Sequence, residues 1–120
     1  MEQNNHQSHP FDLEKRTLVF AKSIRDFCKN LPKSISNKEY VEQIVRSSGS
    51  IGANYIEANE SLSKKDFLMR VKISRKETKE TRYWLELIET LVDQELDLDK
   101  LKQESTELLK IFSSIITKSL

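Results

Sequence analysis

Only four of the 120 residues are glycine or proline, and this scarcity limits the folds that the chain can adopt. Glycine and proline together average about 12% of protein residues and provide many of the tight turns. A β-sandwich or β-barrel needs a turn roughly every 8–12 residues, which so few turn-forming residues cannot supply. The sequence also contains neither GxGxxG nor GxxxxGKS/T, which argues against an α/β fold with a phosphate-binding loop. An all-α domain is therefore expected.

The overall charge and the cysteine content indicate the cellular compartment of the protein and the partners that it can have. Twenty Lys and Arg against nineteen Asp and Glu leave a net charge of +1, too small to draw the whole molecule to nucleic acid or to a membrane. The apolar runs are too short for a membrane span or a signal peptide, and Cys28 is the single cysteine. We therefore expect a cytoplasmic protein with no membrane contact. Residues 61–92 contain eight Lys and Arg but five Asp and Glu, so an anionic partner is best sought there.

Apolar residues recur at helical spacings of three, four and seven in four segments, which predicts four helices. Their short connections favour an antiparallel up-down-up-down four-helix bundle over residues 11–120, preceded by a disordered lead-in at 1–10. Pro32 is expected to end the first helix. The residues expected to cap the helix N-termini are Asp12, Ser36, Ser63 and Asp97.

The third predicted helix carries a second apolar arc outside its core-facing side. The members of this arc are Ile73, Trp84, Leu87 and Leu91. One interpretation is that they complete an irregular core. We favour the other, a subunit interface, because exposed apolar arcs usually mark association and Trp is a common interface anchor. The arc therefore predicts a homo-oligomer.

A basic stripe runs along the third predicted helix, facing away from the core. Its residues are Lys65, Lys72, Arg75, Lys76, Lys79, Arg82 and Tyr83. Several cations within a Debye length of about 10 Å suit a phosphate backbone, and an aromatic ring at the end could stack on a base. Glu77, Glu80 and Glu86 lie among the cations, however, and a solvated helix face would have the same composition.

No group of residues suggests catalysis. Both histidines, His6 and His9, lie in the predicted lead-in, which leaves the bundle interior without a histidine ligand or base. Glu77 and Glu80 are interpreted as ion-pair partners of the surrounding lysines. We therefore expect a protein without enzymatic activity, metal or cofactor.

Two segments carry a family resemblance. Residues 43–59, QIVRSSGSIGANYIEAN, and 67–88, FLMRVKISRKETKETRYWLELI, closely resemble the four-helix bundle proteins encoded in intervening sequences of bacterial 23S ribosomal RNA genes. Residues 11–24, FDLEKRTLVFAKSI, also resemble the first helix of that family. The resemblance covers about 110 residues.

The resemblance implies a four-helix subunit in a ring-like homopentamer without known catalysis. Proteins of similar fold include the accessory variability determinant of diversity-generating retroelements, a basic pentamer implicated in nucleic-acid binding alongside a reverse transcriptase. The partners it implies are thus further copies of the chain, RNA or DNA, and a reverse transcriptase or another protein. The near-neutral charge of this chain differs from those basic relatives.

The resemblance also assigns a set of packing and assembly positions. They are Arg46, Ser47, Ser50, Ile51, Asn54, Glu57, Ser74 and Glu77. Ala58 departs from the family, which commonly has Gly there, so the second helix is expected to continue further. Taken together, the sequence predicts a non-enzymatic, homo-oligomeric bundle that binds nucleic acid weakly through its third helix. The alternative is a protein-interaction scaffold with no nucleic-acid role.

Overall fold

The structure, a computed structural model, describes residues 10–120 and contains four long α-helices within that range. They are α1 (Pro10–Lys29), α2 (Ile35–Asn59), α3 (Lys64–Leu87) and α4 (Glu95–Ser119), with a short 3-10 turn at Val92–Gln94. No strand occurs among these residues, which confirms the all-α prediction. The predicted lead-in lies outside the described residues except for Pro10, which begins α1.

Contacts between helix ends show that neighbouring helices run in opposite directions. Asn59 Nδ2, at the end of α2, donates to Glu14 Oε2 near the start of α1 at 2.8 Å. Gln94 Nε2, just before α4, donates to the carbonyl oxygen of Asn30 just after α1 at 2.6 Å. The chain therefore forms the predicted antiparallel four-helix bundle.

The centre of the bundle is filled by large apolar side chains from all four helices. Those with 2% exposure or less are Phe20, Ile24, Ile44, Ile51, Val71, Leu85, Leu108 and Phe112. Phe112 also packs against Tyr55, with 5.9 Å between the ring centroids. Because burying one such side chain contributes about 1.5–3 kcal/mol, this set dominates the stability of the fold.

Small hydroxyl residues allow a close contact between α2 and α3. Ser47 Oγ and Thr81 Oγ1 share a hydrogen bond of 2.8 Å, and Ser74 Oγ donates to the carbonyl oxygen of Ile51 at 2.9 Å. All of these side chains are buried. Since every hydroxyl has a partner, the contact buries polar groups without leaving hydrogen bonds unmade.

One of the four predicted N-terminal capping residues is confirmed. Ser63 caps α3 as expected, with its Oγ accepting a hydrogen bond from the Asp66 N–H at 3.1 Å. The prediction for α2 is wrong: Ser34 has an extended backbone, and its Oγ accepts from the Asn37 N–H at 3.0 Å. Ser36 consequently lies inside the first turn, because an earlier serine already caps the helix.

The predicted caps of α1 and α4 are also wrong, because both helices begin earlier than expected. Asp12 lies in the first turn of α1, which starts at Pro10. Asp97 lies in the first turn of α4, which starts at Glu95 directly after the 3-10 turn. A carboxylate in the first turn interacts favourably with the helix dipole, which accounts for acidic residues there without a capping role.

Candidate nucleic-acid interface and assembly face

The outward side of α3 is cationic and exposed. Its residues follow spacings of four, three, four, three and four, which places them in one row along the helix. We call this the outer row; it consists of Lys65, Met69, Lys72, Lys76, Lys79 and Tyr83. All six are exposed, including Met69 at 50% and Tyr83 at 59%. Sequence reasoning missed Met69, although its spacing from Lys65 and Lys72 would have identified it.

The two arginines of the predicted stripe lie at its edge. Arg82 is half-buried, and its Nε donates to Thr106 Oγ1 of α4 at 3.0 Å. Arg75, seven residues earlier, is also half-buried and lies on the same side of α3. The structure thus separates an exposed lysine row from two half-buried arginines at its edge, of which Arg82 contacts α4.

The acidic residues of α3 lie on its flanks, where cations from other helices pair with them. Glu80 Oε1 accepts a hydrogen bond from Arg46 Nη2 of α2 at 3.2 Å, and Arg46 Nη1 lies 3.7 Å from Glu77 Oε1. On the opposite flank, Lys102 Nζ of α4 lies 3.4 Å from Glu86 Oε1. Of these three glutamates, only Glu77 also comes within 4.0 Å of a lysine of the outer row, Lys76, so the row keeps most of its positive charge.

The lysines of the outer row are close enough to act together. The helical rise places the Cα atoms of Lys72 and Lys79 about 10 Å apart, which is about one Debye length at 0.1 M salt. Within the described residues, Lys76 Nζ lies 4.0 Å from Glu77, whereas Lys65, Lys72 and Lys79 have no carboxylate within 4.0 Å. Such a row attracts an anionic chain more strongly than the net charge of +1 indicates.

The second apolar arc of α3 lies on the side that faces α2. Trp84 stacks on Tyr40 of α2, with 6.1 Å between ring centroids, and meets Tyr83 edge-on at 5.2 Å. Trp84 therefore has a partner within the chain and packs against the core, as the irregular-core interpretation expects. Leu87, at the end of α3, and Leu91, beyond it, remain 36% and 53% exposed.

Ile73, Glu77, Glu80, Trp84 and Leu87 follow spacings of four, three, four and three, so they form one stripe on this side of α3. Two buried side-chain atoms of the described residues lack a hydrogen-bond partner, Glu77 Oε1 and Trp84 Nε1, and both belong to this stripe. An unpaired buried polar group costs about 1–3 kcal/mol. The Arg46 guanidinium, 3.7 Å from Glu77 Oε1, offsets part of that cost, and an acceptor from solvent or from another molecule would relieve it at Trp84 Nε1.

Several of the family-signature positions are adjacent to this stripe. Asn54 of α2 donates from Nδ2 to Ser50 Oγ at 3.1 Å, and its Oδ1 accepts from Arg70 Nη1 at 3.0 Å. Together with Arg46 and Glu77, these residues form a polar surface where α2 and α3 meet, which we call the α2–α3 face. By contrast, Ser47, Ile51 and Ser74 are buried between the two helices, and Glu57 is exposed on α2.

Three grooves on the described part of the chain contain no recognisable set of catalytic residues. One groove of about 630 Å³ lies between α1 and α4 and is lined by Asp26, Asp93, Asp97 and Lys100 among others. Among the described residues, no group of three His, Cys, Asp or Glu is placed to hold a metal ion. Both histidines lie outside the described residues. No helix in that part of the chain is long and apolar enough to span a membrane.

The single cysteine is also poorly suited to react. Cys28 is buried at the end of α1 and lines a recess of about 480 Å³. Burial raises the pKa of the Cys28 thiol from 9.0 to about 11. Since the thiolate is the nucleophilic form, this cysteine is inert near neutral pH.

The sequence that folds into this bundle matches a known family. Residues 11–114 match the family of 23S rRNA-intervening sequence proteins. This chain belongs to that family. The match covers most of the chain and confirms the resemblance carried by residues 43–59 and 67–88.

A solved structure supports the assignment to the intervening-sequence family. The chain is 34% identical to a protein of unknown function of the S23 ribosomal protein family from Bacteroides thetaiotaomicron VPI-5482, whose crystal structure is known at 1.70 Å resolution. The similarity covers 86% of this chain and 96% of that one, with a TM-score of 0.71. No curated protein matches the sequence.

Proposed function

We propose that this member of the intervening-sequence family is a non-enzymatic, homo-oligomeric bundle that binds RNA or DNA weakly through the outer row of α3. The observation that carries the proposal is the separation of charges on α3. Its exposed side presents four lysines, while Glu77, Glu80 and Glu86 are paired with cations from α2 and α4. A row of this kind neutralises phosphates without reading a sequence.

Assembly would strengthen weak binding. The resemblance implies a ring-like homopentamer, in which the outer row occurs five times. Linked copies raise the effective concentration of each further contact, so several weak rows can together hold one nucleic acid. The setting we propose is the bacterial cytoplasm, where a lone reduced thiol such as that of Cys28 is usual.

A salt titration tests nucleic-acid binding. If three lysines each neutralise one phosphate of a single strand, affinity should fall about 20-fold between 50 and 200 mM salt. Replacing Lys72, Lys76 and Lys79 together with Glu should abolish the binding. The matched control replaces Lys15, Lys22 and Lys29, all exposed on α1, and makes the same change in charge. Equal affinity of the two triple variants would refute the outer row as the site.

The second candidate function is a protein-interaction scaffold without a nucleic-acid role. The side of α3 that faces α2 favours it, because Trp84 Nε1 and Glu77 Oε1 lack hydrogen-bond partners there, although Arg46 Nη1 lies 3.7 Å from Glu77 Oε1. Leu87 and Leu91 are exposed nearby in sequence. Another copy of the chain or a different protein, such as a reverse transcriptase, could cover this face.

Light scattering tests the assembly. The proposal requires a mass several times the 14.1 kDa of one chain, with five copies expected. Leu91→Glu should reduce that mass if the exposed arc is an interface. Leu18→Glu on α1 is the matched control, since both leucines are 53% exposed. A mass of one chain for the unmodified protein would exclude a homo-oligomer.

A further inference from the structure

The outer row has an apolar side chain on each side of its three central lysines. Met69, 50% exposed, precedes Lys72, and Tyr83, 59% exposed, follows Lys79. The helical rise separates Met69 and Tyr83 by about 21 Å. Large apolar side chains are also exposed elsewhere on the bundle, for example Leu18 and Leu62, so exposure alone does not point to a ligand. The feature that does is the position of the Tyr83 ring at the end of the lysine row.

The Tyr83 ring packs against Trp84, which restricts its orientation. The two rings meet edge-on, with 5.2 Å between centroids and 73° between the planes. Trp84 in turn stacks on Tyr40 of α2, with 30° between the planes. Edge-to-face pairs of this kind are favourable, so the Tyr83 ring has a supported orientation while much of it remains open to solvent. A ring that is ordered before binding loses less conformational entropy when a ligand stacks on it.

We propose that the ligand of the outer row is single-stranded RNA or DNA, with a base stacked on Tyr83 and the neighbouring phosphates on Lys72, Lys76 and Lys79. This inference rests on the proposed function and specifies its substrate class. In a single strand the faces of the bases are accessible to aromatic side chains. In a duplex those faces are stacked inside the helix, and a convex row of lysines would meet the backbone alone.

The residue types of the outer row indicate that it does not recognise a base sequence. The row has no Asn, Gln or Arg, whose planar side chains form two-bond pairs with a base edge, and a lysine ammonium lacks the rigid fork of arginine. Stacking and phosphate contacts tolerate any sequence. Binding should therefore depend on strandedness and salt more than on base composition.

The test compares a fluorescently labelled oligonucleotide of about 12 nucleotides, single-stranded or as the matching duplex, by anisotropy at 50 mM salt with the full-length chain. The single strand should bind about tenfold more tightly or better. Tyr83→Ala should weaken single-strand binding about tenfold, the loss typical of one stacked base, and leave duplex binding unchanged. Tyr83→Phe is the matched control, since it keeps the ring and should retain the affinity.

A second signal reports on the same contact without a substitution. Trp84 is the single tryptophan, and it touches the Tyr83 ring, so its fluorescence should change when a strand stacks there. Helix content by circular dichroism should be equal for the unmodified protein and both Tyr83 variants, because Tyr83 is exposed.

The outcomes separate the two proposals. Duplex binding as tight as single-strand binding, with no effect of Tyr83→Ala, would overturn the single-strand inference and leave the lysine row as a nucleic-acid site. Absence of binding to either form at 50 mM salt would overturn both proposals.

Discussion

A Cβ atom placed on Gly52 would lie 2.7 Å from Thr17 Oγ1 and 3.2 Å from Thr17 Cβ. Thr17 is buried, and its hydroxyl donates to backbone carbonyl oxygens of α1 at 2.9 and 3.0 Å. Moving the side chain away from Gly52 would break these hydrogen bonds. The glycine is therefore what allows α1 to approach α2 at this level. Gly49, one turn earlier on α2, has nothing within 4 Å of the corresponding position.

Gly52→Ala should destabilise the bundle by about 1–3 kcal/mol, because the added methyl group forces α1 and α2 apart. Gly49→Ala is the matched control and should instead stabilise it by about 0.5–1 kcal/mol, since alanine is the better helix former. Urea unfolding followed by circular dichroism measures both. A Gly52→Ala variant as stable as the unmodified protein would show that the helices can separate freely.

Asn37 joins the two connections at one end of the bundle. Its Nδ2 donates to the carbonyl oxygens of Pro32 at 3.0 Å and Glu89 at 2.8 Å, while its Oδ1 accepts from the Glu89 N–H at 2.9 Å. The side chain is 1% exposed. It therefore ties the connection between α1 and α2 to the segment that follows α3.

Asn37→Ala should cost about 1–3 kcal/mol, because the backbone N–H and carbonyl of Glu89 and the carbonyl of Pro32 lose a partner at a part-buried site. Asn30→Ala is the control: Asn30 is exposed at the same end of the bundle and should change stability by less than about 0.5 kcal/mol. Thermal unfolding of the two variants, monitored at 222 nm, distinguishes them. Similar midpoints for both would mean that the connections are held by other contacts.

Much of the fold could be predicted because apolar spacing directly reports which side of a helix is buried. Ile44, Ile51 and Leu85 follow that spacing and lie in the core. Helix starts were less predictable. Ser34 and Ser36 both satisfy the local rules for an N-cap, and the path of the connection between α1 and α2 determines that Ser34 is the residue that caps α2. Asn37 could not be identified, because its partner at Glu89 is distant in sequence.

The candidate site was also predictable from the sequence only in part. The exposure of the lysine row followed from its spacing, whereas the effect of Glu77 and Glu80 depended on where Arg46 reaches from another helix. A glutamate next to a lysine in sequence looks like a neutralising neighbour. In the folded bundle Glu77 and Glu80 both pair with Arg46 of α2, and Glu77 alone also lies 4.0 Å from its neighbour Lys76, which sequence spacing on one helix does not reveal.

Arg46 compensates a carboxylate that is otherwise buried. Glu77 is 6% exposed, and the nearest Arg46 nitrogen lies 3.7 Å from its Oε1. Arg46→Ala should destabilise the bundle by about 1–3 kcal/mol, because the buried Glu77 then keeps only Lys76 Nζ, 4.0 Å from its Oε2, as a counter-charge. Glu77→Gln removes that charge, so in its background Arg46→Ala should cost less. A double-mutant cycle by urea unfolding measures the coupling, and additive effects would contradict it.

Cys28 should make stability depend on pH in the alkaline range. Burial raises the pKa of the folded thiol to about 11, so above the ordinary value of 9.0 the unfolded chain loses a proton that the folded chain keeps. Stability should therefore fall between about pH 9 and 11, at no more than about 1.4 kcal/mol per pH unit from this group. Burial also raises the pKa of Tyr55, which adds to the same trend. Cys28→Ala should flatten the decline without removing it, as measured by urea unfolding at pH 8.0 and 10.5; parallel declines in the two proteins would show that the thiol does not contribute.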